Sequence, residues 1–256
     1  MLARESGADA VALAVVPGRR LLLRVSVLGP EGPAAGRRVT VTLGGTLGRS
    51  TAAAAPCGTG CYGAALAPRG RPSSVAVQVG RAKSLFALPA AWPPTPADGI
   101  VRRADAAWRR LRTFQFRERL ASSRTAFINT LWRVQAPNRI RYDIAGGASG
   151  IIVGPWRWDR GRTGPWRRSP QEPIQQPLPF WVAHEDAHLL GRVRSRGVAA
   201  LHVSFYDPAS HAWFDALFDP HTLLTLRLDM TTTAHFMHHL YFAFDEPLRI
   251  EPPAPG

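Results

Sequence analysis

From Trp132 to Arg168, large apolar and polar residues alternate in three short runs, WRVQAPNRIRYDI, IIVGPWRWDR and PWRRS, separated by the glycine-rich turns AGGASG and GRTG. In the first run Ile140, Tyr142 and Ile144 fall on one face, and Arg139, Arg141 and Asp143 on the other. Successive strand side chains point to opposite faces, so a period of two between glycines predicts antiparallel strands joined by tight turns. One face carries arginines. The other carries aromatic and β-branched residues that need an apolar cover, which predicts a curved sheet with a partner on its inner side.

The same reading extends in both directions. AVALAVVP and LLLRVSVLG form two strand-like runs within residues 9–28, and RRVTVTLGG puts Val39, Val41 and Leu43 on one face. With CYGAALAPRG and SSVAVQVG, turns recur every 8–12 residues or so, the spacing of a small β-sandwich over residues 1–90. Proline-dense residues 91–97 read as a linker. Asp98 stands where it can cap a helix over residues 99–112, with Ile100, Ala104, Trp108 and Leu111 at helical spacing and arginines opposite. FQFRERLASS alternates again, with Phe114, Phe116 and Glu118 on one side. After a proline-rich loop or lid, SPQEPIQQPLPFW, further strand runs end at Asp-Pro or Glu-Pro stops. One helix followed by many antiparallel strands predicts an α+β fold, with residues 98–252 as the second domain.

Composition narrows the class. In 256 residues, 45% hydrophobic and 20% charged content places the chain among folded globular proteins. The net charge of +14 is almost all arginine, Lys83 being the only lysine. The arginines are scattered singly or in pairs such as Arg167-Arg168, without the long basic block of a nucleic-acid tail, so no nucleic-acid partner is expected. On outward strand faces they predict a solvated surface attracted to an anionic membrane. Cys57 and Cys61, across a glycine-rich turn in PCGTGC, can close a disulfide or remain two thiols. An isolated pair favours the bridge and an oxidising compartment. MLARESGADA lacks the pattern of an export signal, and no apolar run reaches membrane-spanning length. The expectation is either a cytosolic protein or the soluble part of a longer membrane-anchored one, and the cysteines favour the second.

The order of helix 99–112, FQFRERLASS, WRVQAPNRIRYD, IIVGPWRWDRGRTGPW and the closing meander VSFYDPASHAWFDALFDPHTLLTLRLDM resembles the LolA/LolB-like lipoprotein-carrier family. The resemblance covers about residues 96–252. It implies a curved antiparallel half-barrel that wraps helix and holds a lipid or other apolar ligand in its concave face. The first part, with APCGTGCYGAAL before the proline-rich strap, looks like a CopC/YtkA-like immunoglobulin-like unit. That resemblance implies the soluble region of a CopD-like copper-resistance membrane protein, hence an extracytoplasmic, membrane-associated location and a membrane region upstream in the same polypeptide. The copper ligands of that family have no counterpart here, since residues 1–90 contain no histidine and only Met1 as methionine.

Three constellations could carry chemistry. His184-Glu185-Asp186-Ala187-His188 fits H-E-x-x-H, which on a helix would hold zinc between His184 and His188 with Glu185 polarising water. Gly191 also falls where metzincins place theirs, but their third histidine position is Arg194, and the flanking prolines and glycines leave little room for a helix; a loop running into a strand is the favoured reading. His235, Met237, His238 and His239 offer imidazole and thioether ligands suited to copper, as an alternative copper-linked role, or they line an amphipathic strand end. The third is aromatic and aliphatic: Trp108, Phe116, Trp132, Tyr142, Ile152, Trp156, Trp158, Phe205, Trp213 and Phe214 are the candidates for a hydrophobic ligand site, against the plainer reading of a core. No Ser-His-Asp order, phosphate loop or paired-carboxylate spacing supports an enzyme, and no cofactor is expected. A purely structural or interaction module remains a further alternative.

Overall fold

The structure, a computed structural model, describes residues 2–254. The first half folds as β1 (Leu2–Ser6), β2 (Asp9–Val16), β3 (Leu21–Gly29), β4 (Gly32–Pro33), β5 (Val39–Gly45), β6 (Gly48–Ala53), β7 (Ala55–Gly58), β8 (Cys61–Leu66), β9 (Pro72–Val79) and β10 (Ala82–Ala87). These make two sheets, β1-β2-β3-β8-β7 with β4 on β3, and β10-β9-β5-β6. Val11, Leu13, Leu23, Val25 and Val27 from one meet Val39, Val41, Leu43, Val75, Val77 and Phe86 from the other in a closed core. Alternation is clean in β3, β5, β9 and β10, which turn their other face towards solvent, whereas β2 is buried on both faces from Asp9 to Leu13. Cys57 and Cys61 pair as a disulfide across the β7–β8 turn. A loop of this length removes little chain entropy, so replacing both cysteines by serine is expected to cost about 2 kcal/mol. Urea unfolding of the variant against the parent measures it.

The second half comprises β11 (Thr95–Pro96), α1 (Asp98–Trp108), β12 (Thr113–Ala121), β13 (Phe127–Gln135), β14 (Arg139–Ile144), β15 (Ser149–Val153), β16 (Trp156–Arg160), β17 (Arg167–Pro170), β18 (Glu185–Ser195), β19 (Val198–Asp207), β20 (Ala212–Phe218), β21 (Thr225–Thr232) and β22 (His235–Phe242). Its strands form one antiparallel sheet in the order β11-β18-β19-β20-β21-β22-β12-β13-β14-β15-β16-β17, open at both ends. The sheet curls round α1, whose Val101, Ala104 and Trp108 share a core with Val203, Phe205, Phe214, Phe218, Leu228 and Phe116. The architecture is an open half-barrel wrapped on the single helix found among the described residues.

Several expectations are corrected. The helical share is one 11-residue element, so the fold is nearly all β where α+β was expected. The helix stops at Trp108 instead of 112, because Arg110 N–H and Leu111 N–H bond three residues back and Asp245 Oδ1 then takes Arg112 N–H, turning the chain into β12. Asp98 lies inside the first turn, where its charge suits the helix dipole, and Ala97 precedes it without a side-chain cap. The three alternating runs of Trp132–Arg168 become five strands, since Ala136-Pro137-Asn138 and Gly154-Pro155 are also turns. Thr95 and Pro96 of the linker add a short strand to the edge of the large sheet.

The convex face of the half-barrel is not wholly solvated. Strand β1 lies against it: Arg4 Nη2 meets Asp215 Oδ2 at 2.6 Å, and Glu5 Oε2 lies 3.3 Å from Arg119 Nη1 and 3.2 Å from His238 Nε2. Phe236 and Ala121 bury themselves against Ala10 beside these pairs. Outward arginines at this seam therefore serve the contact between the two halves.

Candidate functional site

Strand register decides which face each candidate occupies. Phe205 opposes Phe214, Phe214 opposes Met230, and Met230 opposes Met237. Further along the sheet, Tyr241 opposes Phe116, Phe116 opposes Trp132, and Trp132 opposes Tyr142. Ile152 opposes Ile140 on that same concave face. Trp156 and Trp158 pair with Val153 and Ile151, one position out of step with Ile152, and Trp213 pairs with Tyr206; all three tryptophans point to the convex face. There Arg168 stacks over Trp156 with its Cζ 3.3 Å from the ring centroid, and Tyr206 lies 5.5 Å from Trp213. An outward aromatic residue is stable when a guanidinium or second ring covers it. Of the ten candidates, these three are not on the concave face.

The concave face divides in two. Over β19 and β20 it is filled, because Trp181 packs edge-on against Phe205 at 5.4 Å and against Phe218 at 6.2 Å. Phe205 and Phe214 therefore sit in the closed core and not on a cavity wall. Over β12, β13, β14 and β22 a cavity of about 150 Å³ remains, lined by Trp108, Phe114, Phe116, Glu118, Trp132, Val134, Ile140 and Tyr241 and roofed by Gln176, Leu178 and Phe180. The roof is the proline-rich segment expected as a loop or lid. Its Leu178 and Phe180 are 44% and 42% exposed, so they cover the cavity with one side only. Trp108 Nε1 donates to Leu178 O at 2.7 Å, Gln176 N to Pro137 O at 2.7 Å, and the Asp207 carboxylate accepts Val182 and Ala183 N–H. Tyr142 and Ile152 adjoin the cavity without lining it. Tyr142 lies flat over Gly150, where an added Cβ would overlap its ring, and its hydroxyl donates to Asp159.

One constellation on this wall is absent from the sequence expectations. Glu118 accepts hydrogen bonds from Trp132 Nε1 at 2.8 Å and His239 Nε2 at 3.0 Å, and His239 Nδ1 lies 2.8 Å from the Tyr241 hydroxyl. Burial pushes the Glu118 carboxyl up, but the bonds from His239 and Trp132 outweigh it and hold the group below its ordinary value. Burial, with Glu118 nearby, raises Tyr241 well above the usual phenol range, so it stays a neutral hydroxyl. Assigning protons so that each buried donor has an acceptor gives Nε2–H to Glu118 and Tyr241 O–H to Nδ1.

The metal expectations meet a different geometry. In β22 Met237 and His239 face inward while His238 faces outward to Asp229 and Glu5, which raise its pKa through hydrogen bonds and charge against the opposing effect of burial. His235 stands exposed at the strand start, so the four ligands do not converge. Around H-E-x-x-H the chain enters β18 as a strand, with Asp186 at φ 53°. His184 opens beside Asp98 and Arg102, whereas His188 opens with Trp92 and Leu190 on a separate cleft of about 470 Å³. A strand cannot bring those histidines to one metal as a helix would. Among the described residues no group of three or more His, Cys, Asp or Glu side chains is placed to hold a metal ion.

No family model matches the sequence, and no curated protein matches it. Among solved structures the chain is similar to LprF from Mycobacterium bovis, at 11% identity over 63% of this chain and 99% of that one, with a TM-score of 0.48. It is similar to MucB at 17% identity over 65% of each chain (TM-score 0.35). To the LolA superfamily protein NE2245 from Nitrosomonas europaea the figures are 12% identity, 62% of this chain, 96% of that one and a TM-score of 0.27.

Proposed function

We propose that this chain is a non-enzymatic binding protein that takes a hydrophobic ligand on the concave face of its half-barrel, beneath the strap of residues 171–184. The observation that carries this reading is the aromatic wall of β12, β13 and β22, which α1 leaves uncovered and only a loop roofs. Burying apolar ligand surface there is worth about 25 cal/mol per Å². The cavity is smaller than the roughly 300–1,000 Å³ usual for ligand pockets, so anything larger than a small group enters with the strap lifted. The pattern resemblance to lipoprotein carriers supports the same ligand class. The Cys57–Cys61 pair supports an extracytoplasmic setting, and the net charge of +14, almost all of it arginine, supports approach to an anionic membrane. In this reading residues 1–90 form an immunoglobulin-like unit, 91–97 a linker and 98–252 the carrier domain of a membrane-anchored system. No observed geometry favours the copper or zinc alternatives.

The strap gives the test. The neutral dye N-phenyl-1-naphthylamine, which brightens in apolar sites, is expected to bind saturably. In Trp108→Phe the bond to Leu178 O is gone, so dye association and dissociation in stopped flow should both accelerate several-fold. Trp156→Ala, on the convex face, should change neither. Absence of saturable binding by parent and Trp108→Phe alike would overturn the proposal.

A further inference from the structure

The cavity beneath the strap has a chemistry more specific than an apolar hollow. Its volume of about 150 Å³ suits one compact group and not an alkyl chain. Trp108, Phe116, Trp132, Tyr241 and the roofing Phe180 give it aromatic walls, and Glu118 sets a carboxylate among them. No lysine or arginine lines it. A carboxylate is costly to place in an aromatic wall and does nothing for a purely apolar guest. Ring faces are negative, and quaternary ammonium groups are recognised by such cages. Primary ammonium would bring three N–H donors, and the aromatic walls offer them no acceptor, leaving only the lone pairs of Glu118 not already taken by Trp132 and His239. A quaternary ammonium brings none.

We propose that this cavity is a cage for a small quaternary ammonium group, of tetramethylammonium or choline size, held by the aromatic rings and the Glu118 carboxylate. The inference rests on the reading of this cavity as the ligand site and names the group that fills it. Whether the group arrives as a free cation or as a lipid headgroup, the cage is the same.

The experiment compares choline with 3,3-dimethyl-1-butanol, its uncharged carbon counterpart, by titration calorimetry on the intact chain, with naphthylamine binding measured in parallel. Choline is expected to bind at least about tenfold more tightly than the neutral compound, the size of a desolvated cation–π preference. Glu118→Gln, which keeps shape and removes charge, should narrow that difference several-fold, leaving the part that the rings supply. If the variant does not fold, the choline comparison on the parent protein decides alone. Retention on phosphatidylcholine but not phosphatidylglycerol vesicles would support the cage with a lipid headgroup as guest; choline binding without vesicle retention would support it with a free cation. Equal binding of choline and the neutral compound, or of neither, while naphthylamine still binds, overturns the cage and leaves the hydrophobic-ligand reading. Loss of all three overturns both.

Discussion

Replacing His239 with leucine is expected to destabilise the protein by about 3 kcal/mol at neutral pH, because it leaves Glu118 buried with one hydrogen bond in place of two. The partners are almost wholly covered, at 1% and 6% side-chain exposure, so the lost donor is costly to replace. The sign of the pH dependence follows. In the parent protein the Glu118 pKa is depressed, so its contribution is present above the ordinary carboxylate range and is lost as pH falls through the folded value. In the variant burial is opposed chiefly by Trp132, and the carboxyl rises above its unfolded value. The penalty is then full above that raised pKa and fades as acid protonates the group. Urea unfolding from neutral to mildly acid pH should show the deficit shrinking. Adding Glu118→Gln to the variant should recover about half of it. A deficit independent of pH, unrelieved by the second substitution, would mean that packing and not the buried charge carries the loss.

Most strands of the half-barrel are legible in the sequence, because β12 to β16 alternate and the turns after β13, β14 and β15 carry glycine or proline. Strand β1 is not: LARES has no strong alternation, and it becomes a strand through the Gly7 turn and its pairing with β2. Strand β18 is obscured in another way. Positive φ at Asp186 and Gly191 accompanies register shifts that break the period of two, leaving a string that also fits H-E-x-x-H.

The candidate site is legible as a set of residues and not as a face. Alternation shows that Trp156 and Trp158 share a side, but not which side curls inward; that depends on pairing with β15. The Glu118 group left a trace, since Glu118 shares a face with Phe114 and Phe116, and a carboxylate on an apolar face demands a buried partner. Its partner lies 121 residues away on β22, beyond the reach of local spacing. His239 is legible only as one of a histidine cluster, and the strand that separates it from His238 gives the two rings unrelated roles.

Neighbouring Trp213 and Phe214 test the face assignment most sharply. Phe214→Ala is expected to cost about 4 kcal/mol, because the ring is 2% exposed, stacks 5.2 Å from Phe205 and lies under Trp181. Removing it opens a void in the filled half of the concave face, where α1 and the sheet meet and little can collapse into the gap. Trp213→Ala removes a larger side chain but should cost about 1 kcal/mol, since that ring lies on the convex face against Tyr206 and is partly wet. A loop residue or a strand buried on both faces would give two similar losses. Paired urea unfolding curves decide the matter, and naphthylamine binding adds a second readout. The folded fraction of Phe214→Ala should keep the affinity of the parent, because the lost ring belongs to the closed core and not to the cavity wall. Equal destabilisation by both substitutions would put the β20 register one residue out of place, and with it every inward assignment from β19 to β22.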